Sequence, residues 1–373
     1  MKPKIDLIYF QAIIFLLVIG ILSIYSTTFY EKLFFPKELQ TNCFTKTLKW
    51  VGIGLVILFL SVGIDFSVYY SKPKLFGIIR LPVTGSVFLW CFFFIGILYN
   101  VIRALFFKAG VERSFGGIFQ PQEFFKYAHL FLLAHLVEKK VNDWWIVVFS
   151  LVGTFALLFQ RAVGTAFIFF LFCTIFFFFV IRLKPFCSIT YFLLVVFVII
   201  IGIWKIPYAK ERFGNFWNRK REKIDLAQID WRKLTHQENA RIAIASGGWF
   251  GRGLGRGLQK FGFLVLVHTD FIFANICEEM GFVGAIIILF LFFILFWRGL
   301  LIASAFHFGF EYMVAAGVSV ILSLYLFIHI LVGLDLIPCT GQPLPFISYG
   351  GAALISNLWA VGTVLNISHS QKR

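Results

Sequence analysis

The stretch HTDFIFANICEEMG, residues 268–281, joins a long polar segment to an apolar run that continues to Trp297. A run of this length crosses a bilayer, which takes about 20 apolar residues. Asp270 stands at the mouth of that run. A carboxylate there is costly unless it faces protein or water, so it marks a functional-site candidate. The plain alternative is a helix N-terminus, where an aspartate favours the dipole.

Working outward, nine further apolar runs lie near 7–27, 48–70, 83–105, 122–138, 143–160, 163–182, 188–207, 311–334 and 347–367. The fourth is the weakest, because His129 and His135 interrupt it. The 373 residues are 60% hydrophobic and 14% charged, with 51 Phe. One soluble core cannot hide so much apolar surface. The expected class is therefore all-α: a polytopic integral membrane protein of about ten transmembrane helices. One domain, 1–373, is expected, with a long extracytoplasmic loop at 208–269 between helices 7 and 8. The first run lacks a small-residue cleavage pattern after it and is read as a span rather than a signal. The six cysteines show no CxxC or metal-ligand spacing, so neither a disulfide nor a structural zinc is expected.

Lys and Arg in the short connections place both termini in the cytoplasm. The first outside loop opposes this assignment, because it carries Lys32, Lys37, Lys46 and Lys49. The 208–269 loop holds twelve Lys or Arg against five acids. Long loops cross the membrane largely regardless of charge, so orientation survives. Anionic lipid head groups or a pyrophosphate-bearing substrate would give that charge a use. Within the loop, SGGWFGRGLGRGLQK, 246–260, interleaves glycines with Arg252, Arg256 and Lys260. Such a backbone approaches an anion closely. No GxxxxGK[ST] occurs, and no nucleic-acid partner, nucleotide or redox cofactor is expected. Gln237 to Ile244 reads as a short amphipathic helix at the membrane surface.

Two further motifs complete the pattern: TGQPLPFISYGG at 340–351 and FQPQEFFK at 119–126. With HTDFIFANICEEMGFVGA and the Gly-rich stretch, they resemble the SEDS family (shape, elongation, division and sporulation) across nearly the whole chain. The resemblance implies a bacterial plasma-membrane glycosyltransferase that polymerises lipid II into glycan strands, with a class B penicillin-binding protein as partner. It implies Asp270 as the catalytic carboxylate. A base takes the proton from the acceptor hydroxyl as it attacks the anomeric carbon, and cations offset the charge of the departing pyrophosphate. Arg252, Arg256, Lys260, Arg113 and Lys126 are the candidate cations. His268, Thr269, Ser348 and Tyr349 are candidate substrate contacts. Glu123 and Lys126, three apart on one helix face, pair with each other or line the groove, and the two roles are compatible. The donor pyrophosphate admits Mg²⁺ or Mn²⁺, with no all-protein metal site visible.

The chain departs from the family pattern at several places. Gln160-Arg161-Ala162-Val163-Gly164-Thr165 stands where the family has QPDLGT, and Leu264-Val265-Leu266 replaces LPE. Gln122 replaces a serine, His329 an asparagine and Asp335 a glycine. Ile21-Leu22-Ser23-Ile24-Tyr25-Ser26 resembles elongation members, whereas GLGRGLQKF leans toward division members; elongation is the reading favoured. A lipid II flippase and an inactive scaffold for a transpeptidase are the rival functions.

Overall fold

A computed structural model describes residues 5–34, 42–70, 74–75, 79–80, 84–106, 119–160, 162–205, 214, 234–261, 264 and 267–370. The long helices are α1 Leu7–Phe34, α2 Cys43–Gly63, α3 Gly85–Phe106, α4 Pro121–Glu138, α5 Asp143–Phe159, α6 Val163–Val180 and α7 Pro185–Lys205. After a shorter α8, His236–Ser246, come α9 Ile272–Ser304, α10 Phe310–Gly333 and α11 Gly351–Ser370. All but α8 fall on the ten expected runs. The fold is helical, apart from a two-residue antiparallel pairing, Lys74–Leu75 with Ile79–Arg80, between α2 and α3. Helices α1, α2, α3, α6, α9, α10 and α11 are long and apolar enough to cross a membrane, and α5 and α7 contribute shorter apolar stretches. The chain is a multi-pass membrane protein.

Helix α4 looks weak in the sequence because it is the interior helix. Every residue from Pro121 to His135 except Phe124 is buried. Its polar groups are matched by neighbours rather than by water. The Trp90 indole N–H donates to His129 Nδ1 at 2.9 Å. Ser150 gives its hydroxyl proton to the Ile146 carbonyl, so its Oγ accepts from His129 Nε2 at 3.1 Å. This arrangement holds the ring neutral, with its proton on Nε2.

Helix α8 starts on a reciprocal cap: Glu238 N–H donates to Thr235 Oγ1, and Thr235 N–H donates to Glu238 Oε2. It does not lie free on the membrane surface. Gln237, Asn239, Ala240, Ile242 and Ala243 are buried, and Gln237 Nε2 donates to the Ile337 carbonyl at 2.8 Å.

Helix α9 is broken at Gly281, which takes φ 69° and ψ −162°. The break frees two amides, and an unpaired amide at membrane depth costs several kcal/mol. Both are claimed by the Gly-rich segment: Phe282 N–H donates to the Gly248 carbonyl and Val283 N–H to that of Trp249, at 2.9 and 3.1 Å. In return, the amides of Arg252 and Gly253 donate to the carbonyls of Glu278 and Glu279. Gly251 and Gly281 both have positive φ, and a Cβ on either would strike the other segment's backbone. Side chains complete the join. Glu278 accepts from the amides of Leu258 and Gln259 at 2.7 and 3.1 Å. Glu279 Oε1 accepts from Lys260 Nζ and from Ser26 Oγ, each at 2.6 Å. One loop thus ties α9 to α1.

Removing one member of a buried ion pair leaves an uncompensated charge and costs roughly 3–5 kcal/mol. Glu279→Ala should therefore lower the detergent melting temperature sharply, while Lys260→Met with Glu279→Leu should recover most of the loss. An unchanged melting temperature in Glu279→Ala would contradict this role.

Candidate active site

The site is built by the segment between α10 and α11. Helix α10 ends in a reversal in which Leu336 N–H donates to the Leu331 carbonyl and Asp335 N–H to that of Val332. The reversal needs a left-handed residue, and Asp335 supplies it at φ 58°. Hence the glycine that the family pattern has at this position; aspartate is among the few other residues that tolerate this conformation. The chain then runs back across the end of α6. His329 Nδ1 donates to the Gln342 carbonyl at 3.0 Å, and the Gln342 side chain bonds Thr165. A Cβ on Gly164 would collide with the Thr340 carbonyl oxygen. Phe346 is buried at φ 65°, a strained conformation for a bulky residue.

This segment is clamped onto 268–270. Tyr349 N–H donates to the His268 carbonyl at 2.8 Å. Ser348 Oγ donates to the Thr269 carbonyl at 2.7 Å and accepts from Leu344 N–H at 2.9 Å. The His268 and Tyr349 rings meet edge to face at 5.7 Å. Burial raises the Tyr349 phenol above its ordinary value, so it stays protonated. Gly341, at φ 65°, leaves room beside the carboxylate: a Cβ there would lie 3.8 Å from Asp270 Oδ2. Asp270 does not cap α9, whose N-cap is Phe271. The carboxylate instead faces a cavity of about 530 Å³, lined by Lys46, Trp50, Gln120, Gln122, Glu123, Thr269, Asp270, Gln342, Tyr349 and the glycines around it.

The cavity brings together Asp270, Thr269, Tyr349 and Glu123 of the expected site residues. Others stand behind or beside it. Lys126 is buried, 2.8 Å from Glu123 Oε2 and 4.1 Å from the Tyr325 ring centroid. It braces Glu123 rather than reaching the cavity. Ser348 and His268 act through the clamp just described. Lys260 is not a free cation, since it is spent on Glu279. Arg252 and Arg256 are exposed on the Gly-rich segment and do not line the cavity, and Arg252 lies 3.9 Å from Glu278. Arg113, Arg161, Val265, Leu266 and all the basic residues of 206–233 lie outside the described residues. Among the described residues, no three His, Cys, Asp or Glu converge as a metal-binding group.

Two lining residues escape a reading from motifs alone. Among the described residues, Lys46, on the first turn of α2, is the cation that lines the cavity with Asp270. Its signal was present in the charge pattern: it belongs to the basic loop that runs against the inside-positive bias. Gln122, buried at 4%, has a side-chain oxygen with no hydrogen-bond partner among the described residues. A buried acceptor beside a cavity is matched by water or by a polar ligand.

Comparison with known proteins adds four observations. The family model described as a cell cycle protein, FtsW/RodA/SpoVE, matches residues 7–373. Stage V sporulation protein E of Bacillus subtilis (strain 168) is 30% identical over an alignment of 401 residues, covering 98% of this chain and 98% of that protein. A probable peptidoglycan glycosyltransferase FtsW of Enterococcus hirae is 30% identical over 387, covering 99% and 93%. In fold, the chain superposes at a TM-score of 0.70, with 20% identity and 99% of both chains covered, on a solved chain from work on the structural coordination of polymerization and crosslinking by a peptidoglycan synthase complex.

Overpacking against backbone typically costs about 1–3 kcal/mol. Gly164→Ala should therefore loosen the 340–349 segment. The expected outcome is at least roughly tenfold faster hydrogen exchange at the Leu344 and Tyr349 amides, with α2 and α11 unchanged. Unaltered protection at both amides would mean that this contact does not hold the segment.

Proposed function

The chain belongs to the FtsW/RodA/SpoVE family, the SEDS family its motifs resemble, and is a peptidoglycan glycosyltransferase; from that premise we propose that it polymerises lipid II in the cavity beside Asp270. The observation that carries the reading is that a carboxylate, Asp270, and an ammonium, Lys46, line the same cavity. Asp270 takes the proton of the acceptor sugar hydroxyl as that oxygen bonds to the anomeric carbon of the donor. The bond from that carbon to the pyrophosphate oxygen breaks, and the leaving group departs with the electron pair. Lys46 offsets its charge, and such preorganised groups act most strongly where water is scarce. A single displacement inverts the anomeric centre. Gln122 and the Tyr349 phenol supply polar contacts for sugar hydroxyls, and Glu123 is held by Lys126 at the cavity wall. A Mg²⁺ or Mn²⁺ ion would enter with the donor pyrophosphate, because these residues form no cage of their own; no step above depends on it.

The same premise supports a class B penicillin-binding protein as partner, since the fold matches a chain of a peptidoglycan synthase complex. It also supports a bacterial plasma-membrane location with both termini cytoplasmic. The Ile21–Ser26 likeness favours elongation, whereas the full-length relatives carry sporulation and division names. Depletion that rounds rod-shaped cells assigns elongation; depletion that leaves filaments without septa removes that assignment.

With its partner, the purified protein should convert lipid II into glycan strands, and Asp270→Asn should abolish this without loss of fold. Lys46→Met should lower turnover by about 10²–10³-fold, the usual effect of losing one charge-stabilising group. Normal polymerisation by Asp270→Asn would remove the carboxylate from the mechanism. Transfer of lipid II across vesicles without polymer would favour a flippase, and neither activity a scaffold.

A further inference from the structure

The turn over residues 249–258 exposes large apolar side chains together with arginines. Phe250 is 84% exposed, Trp249 69%, Leu254 59% and Leu258 49%. Arg252 and Arg256 are exposed among them. In water this would be an unusual loop, because contiguous apolar surface of this kind marks an interaction site. Its position says what covers it.

The Trp249 ring meets Phe282 edge to face at 5.3 Å. Phe282 is itself 52% exposed and begins the outward stripe of α9 that continues through Ile286, Phe290 and Phe293. That stripe belongs to a membrane span, so it faces lipid. The first charge along α9 after Glu279 is Arg298, whose guanidinium pairs with Asp6. Counting about 20 residues back from Arg298, the length that crosses the hydrocarbon, reaches Glu278 and Glu279. The turn hangs from those two residues and from Gly281, so it lies at the edge of the hydrocarbon and not above it. Aromatic residues with one apolar face are favoured at that level. Arginines there meet lipid phosphates.

We propose that residues 249–258 form a membrane-embedded wedge. Trp249, Phe250, Leu254 and Leu258 enter the leaflet on the Asp270 side, and Arg252 and Arg256 bind the phosphates of its anionic lipids. The occupant of this surface is phospholipid. Because Glu278 and Glu279 hold the turn rigidly to α9, the wedge fixes the depth of the helix head and of Asp270, eight residues before Glu278. This inference stands on the packing of the turn and is independent of the reaction assigned to the cavity.

The test places a bimane fluorophore on Phe250→Cys and Leu254→Cys, with His236→Cys at the exposed start of α8 as control, in a Cys91→Ser background that removes the exposed native thiol. The full-length protein is held in nanodiscs of phosphatidylglycerol and phosphatidylcholine containing lipid spin-labelled at the head group or at acyl carbon 5. The wedge predicts quenching at 250 and 254 at least about threefold stronger than at 236, unchanged when the penicillin-binding partner is added. Arg252→Gln with Arg256→Gln should remove the preference for phosphatidylglycerol over phosphatidylcholine. Quenching at both sites equal to that at 236 would overturn the proposal, as would its loss on adding the partner, which would make the surface a protein interface. Two labelled sites keep the test decisive if one variant fails to fold.

Discussion

The Lys260 ammonium against the Glu279 carboxylate, with Ser26 bridging them, is the contact on which the rest of this structure depends. Both charges are buried, and burying them is costly unless each is paired and hydrogen-bonded. The pairing fixes three elements at once: α1 through Ser26, α9 through Glu279 and the Gly-rich segment through Lys260. That segment then supplies the carbonyls that accept from the amides freed by the bend at Gly281, and the amides that donate to the carbonyls of Glu278 and Glu279. Without the pair, only the backbone bonds and the Glu278 side chain would hold the segment over the bend, and its tie to α1 would be lost.

A second segment does the same work on the other side of Asp270. The 335–350 stretch is aimed by the left-handed turn at Asp335, held on α10 by His329 and on α6 by Thr165, and clamped to 268–269 by Ser348 and Tyr349. Between the two, a carboxylate that lipid would reject is presented to a polar cavity. The charged groups thus divide into those that shape the site and those that face it. Lys260, Glu279 and Lys126 shape it. Asp270, Lys46 and Glu123 face it.

Much of this was legible beforehand. Apolar runs of span length depend only on composition, so the ten long helices fall where the runs do. The place of Asp270 at a polar cavity was legible because a carboxylate at the mouth of such a run has few cheap explanations. The cation assignments were less so. Lys260 sits in a stretch of glycine and basic residues that reads as an anion cradle, but its charge is consumed by a glutamate nineteen positions away. Lys46 lies more than two hundred residues from Asp270, and no local pattern connects them. His329 and Asp335 read as losses from the family pattern, yet one still donates to the Gln342 carbonyl and the other still adopts the left-handed turn. Local spacing reports which helix face a residue shares; it does not report which distant backbone will arrive to claim it.

The most direct measurement is capture of the substrate in the cavity. A photo-reactive benzoylphenylalanine replaces Gln120, which lines the cavity, or Phe290 on the lipid-facing side of α9 as control. After illumination with radiolabelled lipid II, the account predicts label on the protein carrying the probe at 120, reduced by excess unlabelled lipid II, and little at 290. Label at 290 with none at 120 would contradict it, because the substrate would then meet the protein away from Asp270.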